Sequence, residues 1–159
     1  MSLLIALQHD FTEALTIIHN EETQYNHFGR SVNVSIEGCT VHYCHPSDES
    51  KQFLDFHSFM SDDTTQMAST VYFHMDMLIQ KLMDSKIISK GGRVLYQTDG
   101  CAKQYKCDTA IYFMSLLATK HEIVVDRAIS ASGHVKSLVG KCLIKIQKRR
   151  IKRRCAARV

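Results

Sequence analysis

The chain of 159 residues lacks any hydrophobic run long enough to cross a membrane as a helix, which takes about 18–20 apolar residues. Its first residues carry no basic segment, and the apolar run at Leu3–Leu7 is shorter than the core of a secretory signal. The six cysteines show no regular spacing. We therefore expect reduced thiols in an intracellular protein that makes no membrane contact.

Acidic residues are absent from the end of the chain. No Asp or Glu follows Asp126, and residues 141–159 contain nine of the 20 Lys and Arg residues. The other 140 residues hold 11 basic and 16 acidic side chains, a net charge of −5, although the whole chain carries +4. The sequence thus predicts one folded domain over residues 1–140 and a basic tail over 141–159, disordered or an irregular helix.

Hydrophobic periodicity predicts an α/β domain with a mixed five-stranded sheet, the order β-β-β-α-β-α-β-α, and flanking helices on both faces. The segment 31–43 alternates as two strands or as one long strand that bends at Gly38. The polar residues Ser61–Thr64 have the composition of a helix N-terminus. Strands are expected at residues 3–7, 31–43, 53–60, 93–96 and 122–126, and helices at 67–84, 108–119 and from about 133.

An acid follows two of the predicted strands. Asp10 ends the first strand and Asp99 ends the fourth, where Gly100 lets the backbone turn away. Strands in this order can lie side by side, so that the two carboxylates face one crevice. Such a pair suits Mg²⁺ or Mn²⁺, and two such ions about 4 Å apart serve phosphoryl transfer. The alternative is that Asp99 only caps the next helix.

Five stretches resemble a family of transposon-derived proteins of animals and protists, related to the DDE transposases and integrases. The resemblance spans about residues 3–140, and its stretches are Gln8–Glu13, Gln24–Arg30, Ser61–Asp63, Thr98–Lys106 and Asp126–Lys136. It implies a ribonuclease H-like core that cleaves or transfers DNA strands at a two-metal site of Mg²⁺ or Mn²⁺. Asp10 and Asp99 would be its catalytic, metal-binding carboxylates, and no small-molecule cofactor is implied.

The third acid of that family is missing here. Its last motif reads His-Gly-Lys followed by Asp-Gly, whereas Val135 replaces the first Gly and Gly140 stands where the acid is expected. One interpretation is that Asp126 or His134 completes the site. Another is that the chain is an inactive relic, and a third is that a frameshift or altered splice changed the end of a fragment of a longer element. Whether the chain is a metal-dependent nuclease or polynucleotidyl transferase stays open.

Basic residues favour a second function, non-catalytic binding of nucleic acid, and a nuclear location. Lys103 and Lys106 follow Asp99, where they either hold substrate phosphates or lie on a solvated helix face. No sequence feature indicates an oligomer. The tail residues expected to contact DNA are Lys148, Arg149, Arg150, Lys152, Arg153 and Arg154.

Overall fold

The computed structural model describes residues 4–11, 14–17, 32–45 and 48–130. These residues form a mixed α/β domain of six strands and two helices, which confirms the predicted fold class. The elements are β1 (Leu4–Phe11), β2 (Leu15–Ile17), β3 (Val32–His45), β4 (Asp48–Ser61), α1 (Ala68–Asp84), β5 (Arg93–Thr98), α2 (Asp108–His121) and β6 (Val124–Ile129).

Strand β1 lies in the interior of the sheet. It pairs antiparallel with β3 and parallel with β5, while β4 pairs with β3 and β6 pairs parallel with β5. The sheet has one strand more than predicted, because β2 pairs with the start of β3. A strand of three residues is too short to give a periodic signal. The predicted last helix lies outside the described residues.

Strand β3 is a single strand whose register continues through Gly38. Its pairing with β4 runs without interruption from Ser35 to Cys44, and the only irregularity falls between Cys44 and His45. Of the two predicted alternatives, one long strand is therefore confirmed and a pair of strands is not. Because alternation is unbroken, Glu37 points to the same face of the sheet as Cys39 and Val41.

Both helices pack on one face of the sheet. Ile5 and Leu7 of β1 contact a core that includes Met75 of α1 and Leu117 of α2, and all four side chains are buried. The expected placement of helices on both faces is thus not seen among the described residues. None of these helices is long and apolar enough to cross a membrane.

Helix α1 begins within one residue of its expected start, but the polar residues before it do not cap it. Its N-cap is Met67, which makes no side-chain cap. Asp63 instead accepts hydrogen bonds from the Thr65 amide at 2.9 Å and the Thr70 hydroxyl at 3.3 Å. The acid therefore joins the turn before the helix to the side chain of Thr70 in the first helical turn, although it is not the N-cap.

A glycine pair directs the chain from α1 into β5. Gly91 has φ of 76°, in the left-handed region that favours glycine. A Cβ on Gly92 would lie 2.7 Å from Ile88 Cγ1 and 2.8 Å from the Ser89 carbonyl oxygen. The glycine pair lies directly before β5, and Asp99 follows the other end of that strand.

Candidate functional site

Asp10 and Asp99 lie at the carboxyl ends of two neighbouring parallel strands. The register between β1 and β5 runs from Leu4 opposite Arg93 to Gln8 opposite Gln97. Asp10 lies two residues beyond Gln8 within β1, and Asp99 lies two residues beyond Gln97, one residue past the end of β5. We call this pair at the carboxyl ends of two neighbouring strands, which are about 4.8 Å apart, the acidic edge. Both residues are partly exposed.

Asp10 is part of the sheet rather than the loop after it. It is the seventh residue of the eight in β1 and pairs with Gly38 of β3. Gly38 has no side chain, so nothing from that strand position crowds the Asp10 carboxylate. The pairing fixes the backbone of Asp10 to β3, and the adjacent ladder to β5 orients the same strand.

Asp99 belongs to a turn that follows β5. Its Oδ1 accepts a hydrogen bond from the Cys101 amide at 3.0 Å, an arrangement typical of Asx turns. The Cys101 carbonyl in turn accepts from the amides of Tyr105 at 2.9 Å and Lys106 at 3.1 Å. Helix α2 begins only at Asp108, with Cys107 as its N-cap. Asp99 therefore holds its own turn and does not cap the helix.

Asp126 lies away from the acidic edge. It pairs with Leu95, four residues before Asp99 on β5, which corresponds to about 13 Å along the strand. Its carboxylate accepts a hydrogen bond from Arg93 Nε at 2.5 Å, and this bond lowers the Asp126 pKa. The geometry counts against Asp126 as the third ligand, because its carboxylate is paired with Arg93 and lies farther back along the sheet than Asp99.

The structure does not complete a metal site around Asp10 and Asp99. His134, the other candidate ligand, lies outside the described residues. Within the part of the chain that is described, no group of three or more His, Cys, Asp or Glu side chains is arranged to hold a metal ion. The acidic edge therefore offers two carboxylates.

The two lysines predicted near the site follow Asp99 on the same turn segment. Lys103 and Lys106 are exposed and precede α2, so they lie on a turn and not on a helix face. Both positions are close in sequence to the acidic edge. The six basic residues of the tail lie outside the described residues.

A buried group of titratable residues lies on the other side of the same strands and was missed by sequence reasoning. Glu37 of β3 has no exposed surface, and its two carboxylate oxygens accept one hydrogen bond each from histidine Nδ1 atoms. His9 of β1 donates at 2.9 Å, and His74 of α1 at 2.5 Å. We call His9, Glu37 and His74 the buried triad.

Burial and hydrogen bonding act in opposite directions on Glu37. Burial alone would raise its pKa, but the hydrogen bonds from His74 and His9 outweigh it and hold the pKa below its ordinary value of 4.5. Glu37 is therefore an ionised carboxylate in the interior. Each imidazole donates through Nδ1, which leaves its Nε2 for a different partner.

Two buried tyrosines lie near these groups, and the ring of Tyr96 contacts that of His9. Tyr96 of β5 and Tyr105 of the Asp99 turn are each 1% exposed. Burial raises the pKa of Tyr105 well above its ordinary value, and the negative charges of Glu37, Asp10 and Asp99 raise that pKa further. The Tyr105 hydroxyl thus lies within the electrostatic field of both the triad and the acidic edge.

Comparison with known proteins gives a family but no activity. No curated protein matches the sequence. A solved structure described as "Crystal structure of LC9-RNase H1, a type 1 RNase H with the type 2 active-site motif" is similar, with a TM-score of 0.49 and 11% identity. The match covers 84% of this chain and 65% of that chain, so this chain spans less than two thirds of the length of that enzyme.

The family that matches is described without reference to a substrate or reaction. Neither that description nor the one of the solved structure names a transposase, so this part of the resemblance stays a proposal. The family model matches residues 3–158, nearly the whole chain, and the chain therefore belongs to the family described as Domain of unknown function (DUF8701).

Proposed function

We propose that the acidic edge binds a divalent cation and that the protein acts on phosphodiester bonds of nucleic acid. The observation that carries the proposal is that Asp10 and Asp99 each follow, by two residues, the last pair of the parallel ladder between β1 and β5, Gln8 and Gln97. The resemblance to DDE transposases extends the proposal to DNA as the substrate and to cleavage or strand transfer as the reaction. A nuclear location follows from that substrate.

The residues present suit one ion better than two. Mg²⁺ commonly binds through one or two carboxylates, retains several waters and takes further oxygen ligands from substrate phosphates. Asp10 and Asp99 provide that number of carboxylates. A second ion would need more anionic ligands than the described residues supply. When bound, the cation would polarise a phosphoryl oxygen of the substrate.

The chain itself would position the ion and the substrate. Asp10 is fixed by strand pairing, and Asp99 is oriented by its hydrogen bond to the Cys101 amide. Lys103 and Lys106 are exposed beside this turn and would attract the phosphate backbone. These contacts would be independent of nucleotide sequence.

Binding of Mn²⁺ provides the first test, because the bound ion can be counted by electron paramagnetic resonance without any substrate. We expect wild type to bind Mn²⁺, and Asp10→Asn and Asp99→Asn each to weaken binding at least tenfold. Asp126→Asn is the matched control, since it removes a carboxylate that pairs with Arg93 at a different level. Equal affinity in all four proteins, or none in wild type, would contradict the proposed site.

Cleavage is tested separately with supercoiled DNA and Mn²⁺. Nicking that Asp99→Asn abolishes and Asp126→Asn retains would support the enzyme. Nicking that both variants retain would indicate a contaminating nuclease and count against the assignment.

A second candidate function is binding of nucleic acid without cleavage through the basic tail. Nine basic residues without an acid over residues 141–159 favour it. The family match includes most of this run, which supports a native segment over one produced by a frameshift.

Salt dependence distinguishes this second function from the first. Replacement of Lys148, Arg149, Arg150, Lys152, Arg153 and Arg154 by Gln should flatten the slope of log affinity against log salt. Asp99→Asn should leave the slope unchanged. If the tail variant has the same slope as wild type, the tail does not contact the nucleic acid.

A further inference from the structure

Among the described residues, seven buried polar side-chain atoms have no hydrogen-bond partner. Three of them are Thr40 Oγ1, His57 Nε2 and Arg127 Nε, and the other four are His9 Nε2, Tyr96 Oη, Thr98 Oγ1 and Tyr105 Oη. The residues of these last four atoms are between 1% and 3% exposed. Buried polar groups in folded proteins are nearly always paired with protein or with ordered water, so such atoms require an explanation.

The four residues belong to one region of the interior. The rings of His9 and Tyr96 meet edge to face, with centroids 5.3 Å apart. Thr98 is two residues beyond Tyr96 on the same face of β5, and His9 and Thr98 each directly follow the last pair of the β1–β5 ladder, Gln8 and Gln97. This places three of the four atoms at the carboxyl end of the two central strands, next to the acidic edge.

Tyr105 is held over the same region by its backbone. Arg127 of β6 is paired with Tyr96 across the sheet, and its Nη2 donates a hydrogen bond to the Tyr105 carbonyl oxygen. The electrostatic effect of Tyr96 on the Tyr105 hydroxyl agrees with this placement. The turn that carries Asp99 thus covers the polar region.

The chemistry of the four atoms identifies their ligand. Since His9 donates through Nδ1 to Glu37, its Nε2 is an acceptor in the neutral ring. The three hydroxyls can each donate and accept. An anion would need donors alone, and these four atoms include no carboxylate or thiolate of the kind that metal ions prefer. Water, which donates two hydrogen bonds and accepts two, matches this mixed set.

We infer that His9, Tyr96, Thr98 and Tyr105 bind a cluster of internal water molecules between the buried triad and the acidic edge. These waters extend the hydrogen bonding of the triad beyond His9 Nε2 toward the turn of Asp99. The water site depends on the protein interior alone, and it stands whether or not the acidic edge binds a cation.

Removal of single hydroxyl groups tests the inference through the sign of the change in Tm. Loss of a hydroxyl that bonds to water leaves the remaining waters short of a partner, so Tyr96→Phe, Thr98→Val and Tyr105→Phe should each lower Tm by about 2–8 °C. Loss of an unpaired hydroxyl removes a buried polar group without a partner, and Tm would rise. Tyr112→Phe is the control, because Tyr112 is 63% exposed on α2.

A crystal structure of the wild-type protein that resolves ordered water provides the second measurement. Waters within hydrogen-bond distance of at least three of the four atoms would support the inference. A rise in Tm, a change no larger than that of the control, or a dry region in the crystal would overturn it. Should a variant fail to fold, the wild-type crystal decides.

Discussion

Glu37 and His74 are joined by a hydrogen bond of 2.5 Å between carboxylate Oε2 and imidazole Nδ1, deep between β3 and α1. The second carboxylate oxygen accepts from His9 of β1. One ionised side chain therefore connects two strands and a helix that are distant in sequence. His74 also stacks on Phe59 of β4 with ring centroids 4.6 Å apart, which fixes the orientation of its ring.

The buried triad should contribute strongly to stability. We expect Glu37→Gln to lower the free energy of unfolding by about 1–3 kcal/mol, because one of the two buried imidazole donors loses its acceptor. Urea denaturation at neutral pH measures the change. Asp55→Asn is a suitable control, since that carboxylate accepts from Tyr43 in a more exposed place and should matter less. An equal loss of unfolding free energy in both variants would show that the burial of Glu37 adds nothing to the stabilising effect of its hydrogen bonds.

Glu37 should also make the stability of the protein decrease at acidic pH. The Glu37 pKa lies below its ordinary value of 4.5 in the folded protein, so the folded state is favoured above the unfolded pKa. This contribution is lost as pH falls from about 4.5 through the lower folded value. Urea midpoints measured between pH 7 and pH 3 should show the loss, and Glu37→Gln should make the profile flatter. If the pH profile of the variant runs parallel to that of wild type, Glu37 is not the source of the loss of stability in acid.

Asp76 links the two helices and offers a contrast between buried and exposed partners. Its carboxylate accepts from His121 Nε2 and Lys120 Nζ, both at 2.7 Å. The His121 side chain is 4% exposed and that of Lys120 is 51% exposed.

Asp76→Asn should therefore cost about 1–2 kcal/mol, and Lys120→Ala less than about 1 kcal/mol. Thermal or urea unfolding of both variants checks the order. A larger loss in Lys120→Ala would mean that the exposed ion pair, and not the buried histidine, joins the helices.

Gly92 should tolerate no side chain. A Cβ there would lie less than 3 Å from both Ile88 and the Ser89 carbonyl, so Gly92→Ala forces the turn before β5 to move. We expect a loss of about 1–3 kcal/mol in unfolding free energy. Gly91→Ala also suffers from the positive φ but meets no atom within 4 Å, so its loss should be smaller. Circular dichroism melts of both variants compare the two effects.

Local patterns were sufficient to locate the central elements and the two acids. β5 and α2 have strong periodic signals, and both start at the predicted residues, Arg93 and Asp108. Asp99 follows β5 as expected. Asp10 differs, because it lies inside β1 rather than at its end. The strand continues through the polar residues Gln8 and His9, and His9 is buried with a hydrogen bond to Glu37.

The buried triad could not be predicted from local sequence. Its hydrogen bonds join residues 28 and 37 positions apart, and a Glu within an alternating strand ordinarily faces solvent. The one available signal was the alternation of Glu37 with Cys39 and Val41. The possibility of two strands separated at Gly38 concealed it, because a break there would have uncoupled the face of Glu37 from that of Cys39.

The two acids of the edge differ in mechanical stiffness. Asp10 is part of the ladder with β3, so its backbone moves only with the sheet, whereas Asp99 is held after β5 by a turn hydrogen bond to Cys101. Any adjustment of the gap between the carboxylates must therefore come from the Asp99 side. In the proposed cation site, tolerance for ions of different radius would then be set by the turn from Asp99 to Tyr105, and tightening that turn would narrow the range of ions accepted.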